Sequence, residues 1–229
     1  MFDVVTETWN PISGCTHDCV YCWARRLAQT RLRNTARYRG GFTPRLNVKE
    51  FNKRFRGGLV FVCDMGDIMG SAVRDEWILR VLEHIGRFPQ ARFLLLTKNP
   101  ERYVDFIDVM PSNVVLGATI ETDDDELYIK HSISKAPPPS ARIRAMRKLD
   151  WSAKFISVEP ILDFTPRFPV EIAFIKPSIV YVGYDNYMCR LPEPPLYKTI
   201  DLISGLEGRG IVVLTKTIRR AWFEEHRGR

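Results

Sequence analysis

The sequence predicts an α/β fold, a partial (β/α) barrel of TIM-like form with about six to seven parallel βα units in a single domain over residues 1–229. Three observations predict it. From about residue 59, short apolar runs alternate with segments of helical period. These runs are apolar at successive positions rather than alternate ones, the pattern of strands covered by helices on both faces. Polar residues stand at the ends of successive runs, and they converge on one mouth only where a parallel sheet curls. No Gly-x-Gly-x-x-Gly follows any strand, which weighs against an open dinucleotide-binding sheet.

The elements follow in order. An opening strand, Val4–Trp9, leads to a first helix from Arg25 to Arg39. Leu59–Cys63 is β-branched and aromatic and reads as the second strand. Residues 74–88 read as a helix, with Trp77, Ile78, Val81, Leu82 and Ile85 on one face. Arg92–Thr97 is the third strand, and Pro100 opens a helix to about Val109. Val114–Ile120 is the fourth strand. A long loop follows, with the acidic run Asp123–Glu126 and a stiff Pro137–Pro139 connector. Further strands read at Phe155–Val158, Ile179–Val182 and Ile211–Leu214, with helices near 140–149, 167–174, 196–207 and 217–226. The polar strand ends are Asp64 and Asp67, Thr97 and Lys98, Glu121, Glu159, Tyr184 and Asp185, and Lys216.

At 45% hydrophobic residues the chain can bury a core, which excludes a disordered protein. No run of 18 or more apolar residues appears, so no membrane span is expected. The opening residues lack the basic-then-apolar form of a signal peptide, so the expected location is the cytoplasm. There cysteines serve more often as ligands or reactive groups than as disulfides. The net charge of +7 is uneven: residues 23–58 hold eleven Lys and Arg against one acid, Glu50, and the remainder of the chain is slightly acidic. Such a strip predicts a polyanionic partner, with nucleic acid first among them. Tyr38, Phe42, Phe51 and Phe55 interleave with the charges, either to stack on bases or as the core face of the same segment.

The sharpest signal is Cys15-Thr-His-Asp-Cys19-Val-Tyr-Cys22. Three closely spaced thiols suit an iron–sulfur cluster, where three thiolates would leave the fourth iron of a [4Fe–4S] cluster open to a substrate or cofactor. Zinc held by the three cysteines and His17 is the competing reading, although zinc ligands usually come in two separated pairs. A disulfide and simple packing compete more weakly. Cys63, inside an apolar strand, reads as packing.

Cys-x3-Cys-x2-Cys, with an aromatic before its last cysteine and placed after the first strand of a βα series, resembles the radical S-adenosylmethionine (SAM) superfamily. Trp9-Asn-Pro-x-x-Gly-Cys15, Leu96-Thr-Lys-Asn-Pro-Glu-Arg102, Gly117-Ala-Thr-Ile-Glu121, Ser157-Val-Glu-Pro160 and Val182-Gly183 with Lys216 resemble one branch of it, the phage- and prokaryote-associated DUF5131 family. The resemblance implies an enzyme whose [4Fe–4S] cluster, fed by an external one-electron reductant, cleaves SAM to a 5′-deoxyadenosyl radical that abstracts hydrogen from a substrate. Cys15, Cys19 and Cys22 would ligate the cluster, and Tyr21 would lie near the SAM adenine. The segment Asp64-Met-Gly-Asp67 stands where the superfamily has a Gly-Gly-Glu grip on the SAM amino group. Only Gly66 of the glycine pair remains, and Asp67 or Asp64 would take the ammonium. Glu121 would bind the ribose hydroxyls, and Glu159 joins the cofactor-binding set.

Lys98, Lys216 and Cys189 are the candidate catalytic residues, on a rim with Tyr184, Asp185, Asn186, Tyr187 and Arg190. The lysines would bind phosphate or pair with Glu121 or Glu159. Cys189 would return a hydrogen atom, as a cysteine does in spore photoproduct lyase. The expected substrate is nucleic acid, for modification or repair. A small metabolite or peptide substrate, and a non-catalytic zinc-bearing nucleic-acid module, are the alternatives.

Overall fold

A computed structural model describes residues 2–224, and in it seven strands form one sheet in chain order. They are β1 (Glu7–Trp9), β2 (Leu59–Val62), β3 (Arg92–Thr97), β4 (Val114–Thr119), β5 (Lys154–Val158), β6 (Ile179–Val182) and β7 (Val212–Thr215). The pairs β1–β2, β2–β3, β5–β6 and β6–β7 are parallel. Every residue of β4 and β5 is buried, which explains why neither shows polar–apolar alternation. Even Lys154 lies inside, its ammonium donating to the Met146 and Ile175 carbonyls at 3.0 and 3.3 Å. A separate antiparallel ribbon pairs Ile12–Ser13 with Arg45–Leu46.

The chain divides into two compact units, Met1–Asp18 with Cys22–Gly117, and Cys19–Tyr21 with Ala118–Arg229. In the first, α1 (Trp23–Gln29) is followed by α2 (Asp75–Gly86), which buries Ile78, Val81, Leu82 and Ile85 at helical spacing. Asp75 and Glu76 stand in its first turn, against the positive end of its dipole. Pro100–Val109 is 3₁₀-helical, with Pro100 at its start as predicted. Trp9, Phe55, Phe88 and Phe93 form an aromatic core, in which Phe55 meets the other rings edge-on at 5.1–5.4 Å.

In the second unit, α3 (Asp125–Lys130), α4 (Pro139–Lys148), α5 (Phe168–Phe174) and α6 (Leu196–Glu207) alternate with the later strands. The long loop expected after the fourth strand therefore contains a helix. Its acidic run is a helix start: Asp124 accepts the Leu127 amide at 2.9 Å, and Asp125 and Glu126 fill the first turn. Pro139 takes the first position of α4, so the proline run opens a helix rather than spacing two elements.

Two other helices depart from expectation. The segment from Arg25 to Arg39 is helical only to Gln29, because Thr30 and Thr35 turn their hydroxyls onto the Arg26 and Leu32 carbonyls at 2.7 Å. Such bonds offer the backbone an alternative to the helix. Within the predicted helix 217–226, residues 222–224 form a turn, and residues 225 and 226 lie outside the described residues. The Glu224 carboxylate instead accepts the Ala221 amide and the Leu196 amide at the start of α6. Among the described residues no helix is long and apolar enough to cross a membrane.

Candidate functional site

In the first unit the site begins just after β1. Asn10 donates to Asp64 at 2.5 Å and accepts the Met65 amide at 3.0 Å, fixing the turn after β2. Gly14 and Gly66 meet as a parallel bridge. A Cβ on Gly14 (φ +91°) would fall 2.2 Å from the Thr43 carbonyl oxygen, and one on Gly66 2.9 Å from that of Gly14. Both positions therefore require glycine, and packing accounts for Gly66 without a ligand. Cys15 follows, its amide donating to the Phe42 carbonyl at 2.8 Å and its sulfur accepting the His17 amide at 3.4 Å. Asp18 turns the chain in a left-handed conformation (φ 54°) that Asp tolerates. Cys22 caps α1, its sulfur accepting the Arg25 amide at 3.3 Å. Burial raises the Cys22 thiol, opposed by that amide and by the charge of Lys98.

Asp67 is the hub of this unit. Its Oδ1 accepts from the Met69 amide at 3.0 Å and the Thr97 hydroxyl at 2.6 Å. Its Oδ2 accepts from the Lys98 amide at 2.8 Å and lies 3.0 Å from His17 Nε2. Burial pushes the carboxyl up, but the His17 bond and charge, with Thr97 and Lys98, hold it below the usual range. Asp64 is only half-buried, and its carboxyl is raised by burial despite Asn10.

In the second unit, Cys19 is buried with its sulfur 3.2 Å from the Ser134 hydroxyl. The Tyr21 hydroxyl donates to Glu121, and burial followed by the Glu121 charge pushes the phenol well up, so it remains a donor. Glu121 is wholly buried, its other oxygen accepting from Arg142 at 2.6 Å. Arg142, equally buried, also donates to the Thr119 and Pro137 carbonyls and to the Tyr128 hydroxyl, at 2.6–2.9 Å. Reading the sequence misses Arg142. The signal was present: it occupies the apolar stripe of α4, four residues before the buried Met146.

The remaining candidates fall as follows. Lys216 bonds both oxygens of Glu159 at 2.8 and 3.0 Å, the pairing weighed against phosphate binding. Gly183 permits it, since a Cβ there would lie 3.1 Å from that of Lys216. Tyr184 is no rim residue: it is buried, bonded to the Pro194 carbonyl and the Thr199 hydroxyl, and burial pushes its phenol up to about 12. Asp185 is also buried and accepts the Tyr187 and Cys189 amides, which shapes the loop after β6. Cys189 packs on the apolar cluster of Tyr128, Ile133, Leu162 and Leu191 that also receives Tyr21. Cys63 is buried and its thiol is raised by burial, consistent with packing.

The basic strip returns against the chain just before Cys15, through the pairing of Arg45–Leu46 with Ile12–Ser13 and a bond from the Trp9 indole to the Glu50 carbonyl at 2.9 Å. Tyr38, Phe42 and Phe55 are buried and Phe51 packs edge-on against Trp9, so these rings form the core face. Arg26, Arg31, Arg33, Arg39, Lys49, Lys53, Arg54 and Arg56 are exposed. Arg25 pairs with Asp18, and Arg37 with Glu50 at 2.7 Å.

A family model for proteins of unknown function, DUF5131, matches residues 2–183. The chain belongs to the DUF5131 family. No curated protein matches this DUF5131 chain. Among solved structures it is similar to spore photoproduct lyase with bound AdoMet and dinucleoside spore photoproduct, at 15% identity and a TM-score of 0.55, covering 88% of this chain and 60% of that one. A radical SAM methyltransferase from Sphaerobacter thermophilus gives 16% identity and a TM-score of 0.57, covering 95% of this chain and 67% of the other. The DUF5131 chain thus spans about 60% of the length of the lyase it matches. It has the partial (β/α) barrel fold that radical SAM enzymes share, as its strand pattern predicts.

Among the described residues no group of three or more His, Cys, Asp or Glu side chains is arranged to hold a metal ion. The donor set of the DUF5131 chain fits an iron–sulfur cluster by its chemistry. It offers three soft thiols within eight residues, and two of the sulfurs accept backbone amides, the contact that steadies a bound thiolate.

Proposed function

We propose that this protein is a radical SAM enzyme that acts on nucleic acid. The observation that carries the reading is the three-cysteine segment directly after β1 in a fold shared with radical SAM enzymes. Cys15, Cys19 and Cys22 would hold a [4Fe–4S] cluster which, when reduced, supplies the electron that splits SAM into methionine and a 5′-deoxyadenosyl radical. Asp64, the half-buried acid after β2, accepts the SAM ammonium, since the oxygens of Asp67 are engaged within the chain. Tyr21 presents its ring to the adenine, held by its hydroxyl on Glu121. Glu121 is a positioning residue in this reading, because a ribose diol could reach it only by displacing Tyr21. Lys98 steadies the Cys22 thiolate by its charge, and the Glu159–Lys216 pair keeps both side chains fixed. Cys189 would give its thiol hydrogen atom to the substrate radical, and the thiyl radical left on its sulfur would regain hydrogen from 5′-deoxyadenosine or take an electron from the external reductant and a proton.

Anaerobically reconstituted protein given dithionite and SAM is expected to release 5′-deoxyadenosine, with about four irons and four sulfides per chain. An intact cluster that yields no 5′-deoxyadenosine overturns the reading. A colourless protein containing zinc establishes the non-catalytic alternative instead.

The exposed cations of residues 23–58 support the nucleic-acid substrate, and the lyase of like fold binds a dinucleoside photoproduct. Each phosphate neutralised releases counterions, so binding falls steeply with salt. With six phosphates neutralised, duplex affinity should drop about 10³-fold between roughly 50 and 200 mM salt. Fluorescence anisotropy with a labelled oligonucleotide measures this. Salt-insensitive binding, or none, removes the nucleic acid and leaves a small metabolite or peptide as substrate.

A further inference from the structure

We propose that His17 and Asp67 form a clasp that sets the cysteine loop, with Asp67 acting as a positioning residue for the cluster and not as a ligand of SAM. The proposal rests on the radical SAM reading and deepens it.

His17 stands between Cys15 and Cys19 in sequence, and its ring is buried. A buried imidazole requires a polar partner, and the ring has one in Asp67 at 3.0 Å. The same residue reaches the first cysteine from its other end, its backbone amide donating to the Cys15 sulfur. His17 therefore grips a sulfur through its main chain and Asp67 through its side chain.

Asp67 carries that grip to the sheet. It follows β2, and it receives the Thr97 hydroxyl and the Lys98 amide at the end of β3. A carboxylate has about four acceptor sites, and here four donors surround it: His17, Met69, Thr97 and Lys98. A SAM ammonium would have to break one of these bonds inside a fully buried site. The Gly14–Gly66 bridge presses the two backbones together immediately before Cys15 and Asp67. One side chain thus links the loop after β1 to the ends of two neighbouring strands. Partners that orient ligands in this way typically carry about 10–100-fold of metal affinity.

The test compares wild type, His17→Leu, His17→Gln, Asp67→Asn and the His17→Leu/Asp67→Asn double variant, each reconstituted anaerobically. The readouts are the rate of iron release to a ferrous chelator, the binding of radiolabelled SAM, and the melting midpoint of the iron-free chain. His17→Leu and Asp67→Asn are expected to release iron about 10–100-fold faster. The double variant should be no faster than the faster single one, because both break one link. His17→Gln places an amide nitrogen near the lost Nε2 and should restore slow iron release as well as part of the melting midpoint lost in His17→Leu. Should Asp67→Asn fail to fold, the Leu–Gln contrast at His17 decides alone. Unchanged iron release in His17→Leu overturns the clasp, as does an Asp67→Asn variant that keeps its iron and loses SAM. A wild-type chain that takes up no cluster overturns the radical SAM reading instead.

Discussion

Replacing Arg142 by Met is expected to destabilise the protein by about 3–5 kcal/mol, the cost of breaking a buried ion pair from one side. The guanidinium is wholly buried and donates to Glu121, the Tyr128 hydroxyl and the Thr119 and Pro137 carbonyls. Met fills most of the volume but leaves four acceptors without their donor and Glu121 as a buried charge without its cation. The carboxylate must then bind a proton or draw in water. At about 2–4 °C per kcal/mol for a chain of this size, the melting midpoint should fall by roughly 6–20 °C. Lys at the same position keeps the charge but has three donors for four acceptors and no planar fork, so it should recover only part of the loss. The Glu121→Gln/Arg142→Met double variant removes the stranded charge and should be more stable than Arg142→Met alone. Calorimetry on wild type, Arg142→Met, Arg142→Lys, Glu121→Gln and the double variant measures the cycle and the lysine rescue. A loss under about 1 kcal/mol for Arg142→Met would mean that water or relaxation replaces the network.

The second large effect is chemical rather than structural. Cys22→Ser is expected to abolish 5′-deoxyadenosine formation and most of the bound iron while leaving the fold intact. The sulfur of Cys22 accepts the Arg25 amide at the start of α1. Serine is among the strongest residues at that position, so the helix keeps its cap. Alanine would remove it at a cost of about 0.5–2 kcal/mol and blur the comparison. Serine's oxygen is a hard donor and a poor substitute for thiolate on iron. Iron and sulfide analysis beside a melting curve separates the two effects. Full iron content in Cys22→Ser would exclude Cys22 as a ligand.

The strands are legible in sequence because buried parallel strands are apolar throughout, as Arg92–Thr97 and Val114–Thr119 nearly are. The cysteine motif is legible because its spacing is local. What escapes depends on distant partners. Asp67 and Glu121 read equally well as ligand acids, and only the folded chain surrounds one with His17 and Thr97 and the other with Arg142. Helix α3 hides because a run of acids reads as solvated loop until Asp124 is seen accepting the Leu127 amide. The helix beyond Gln29 is overcalled because its arginines favour helix, while Thr30 and Thr35 bond back to the main chain.

The ribbon that joins Ile12–Ser13 to Arg45–Leu46 has a mechanical consequence. Residues 31–40 leave α1 and return to a strand already bonded beside Cys15, so this excursion is tethered at both ends and anchored between them by the buried Tyr38. If the proposed nucleic-acid reading holds, load applied to Arg31, Arg33 or Arg39 by such a polymer would be borne by main-chain bonds at the base, within three residues of the first thiol. Charge along the excursion can then be retuned for a new target without re-registering the loop that carries the thiol. On that reading, cutting the ribbon itself would slacken grip and chemistry together.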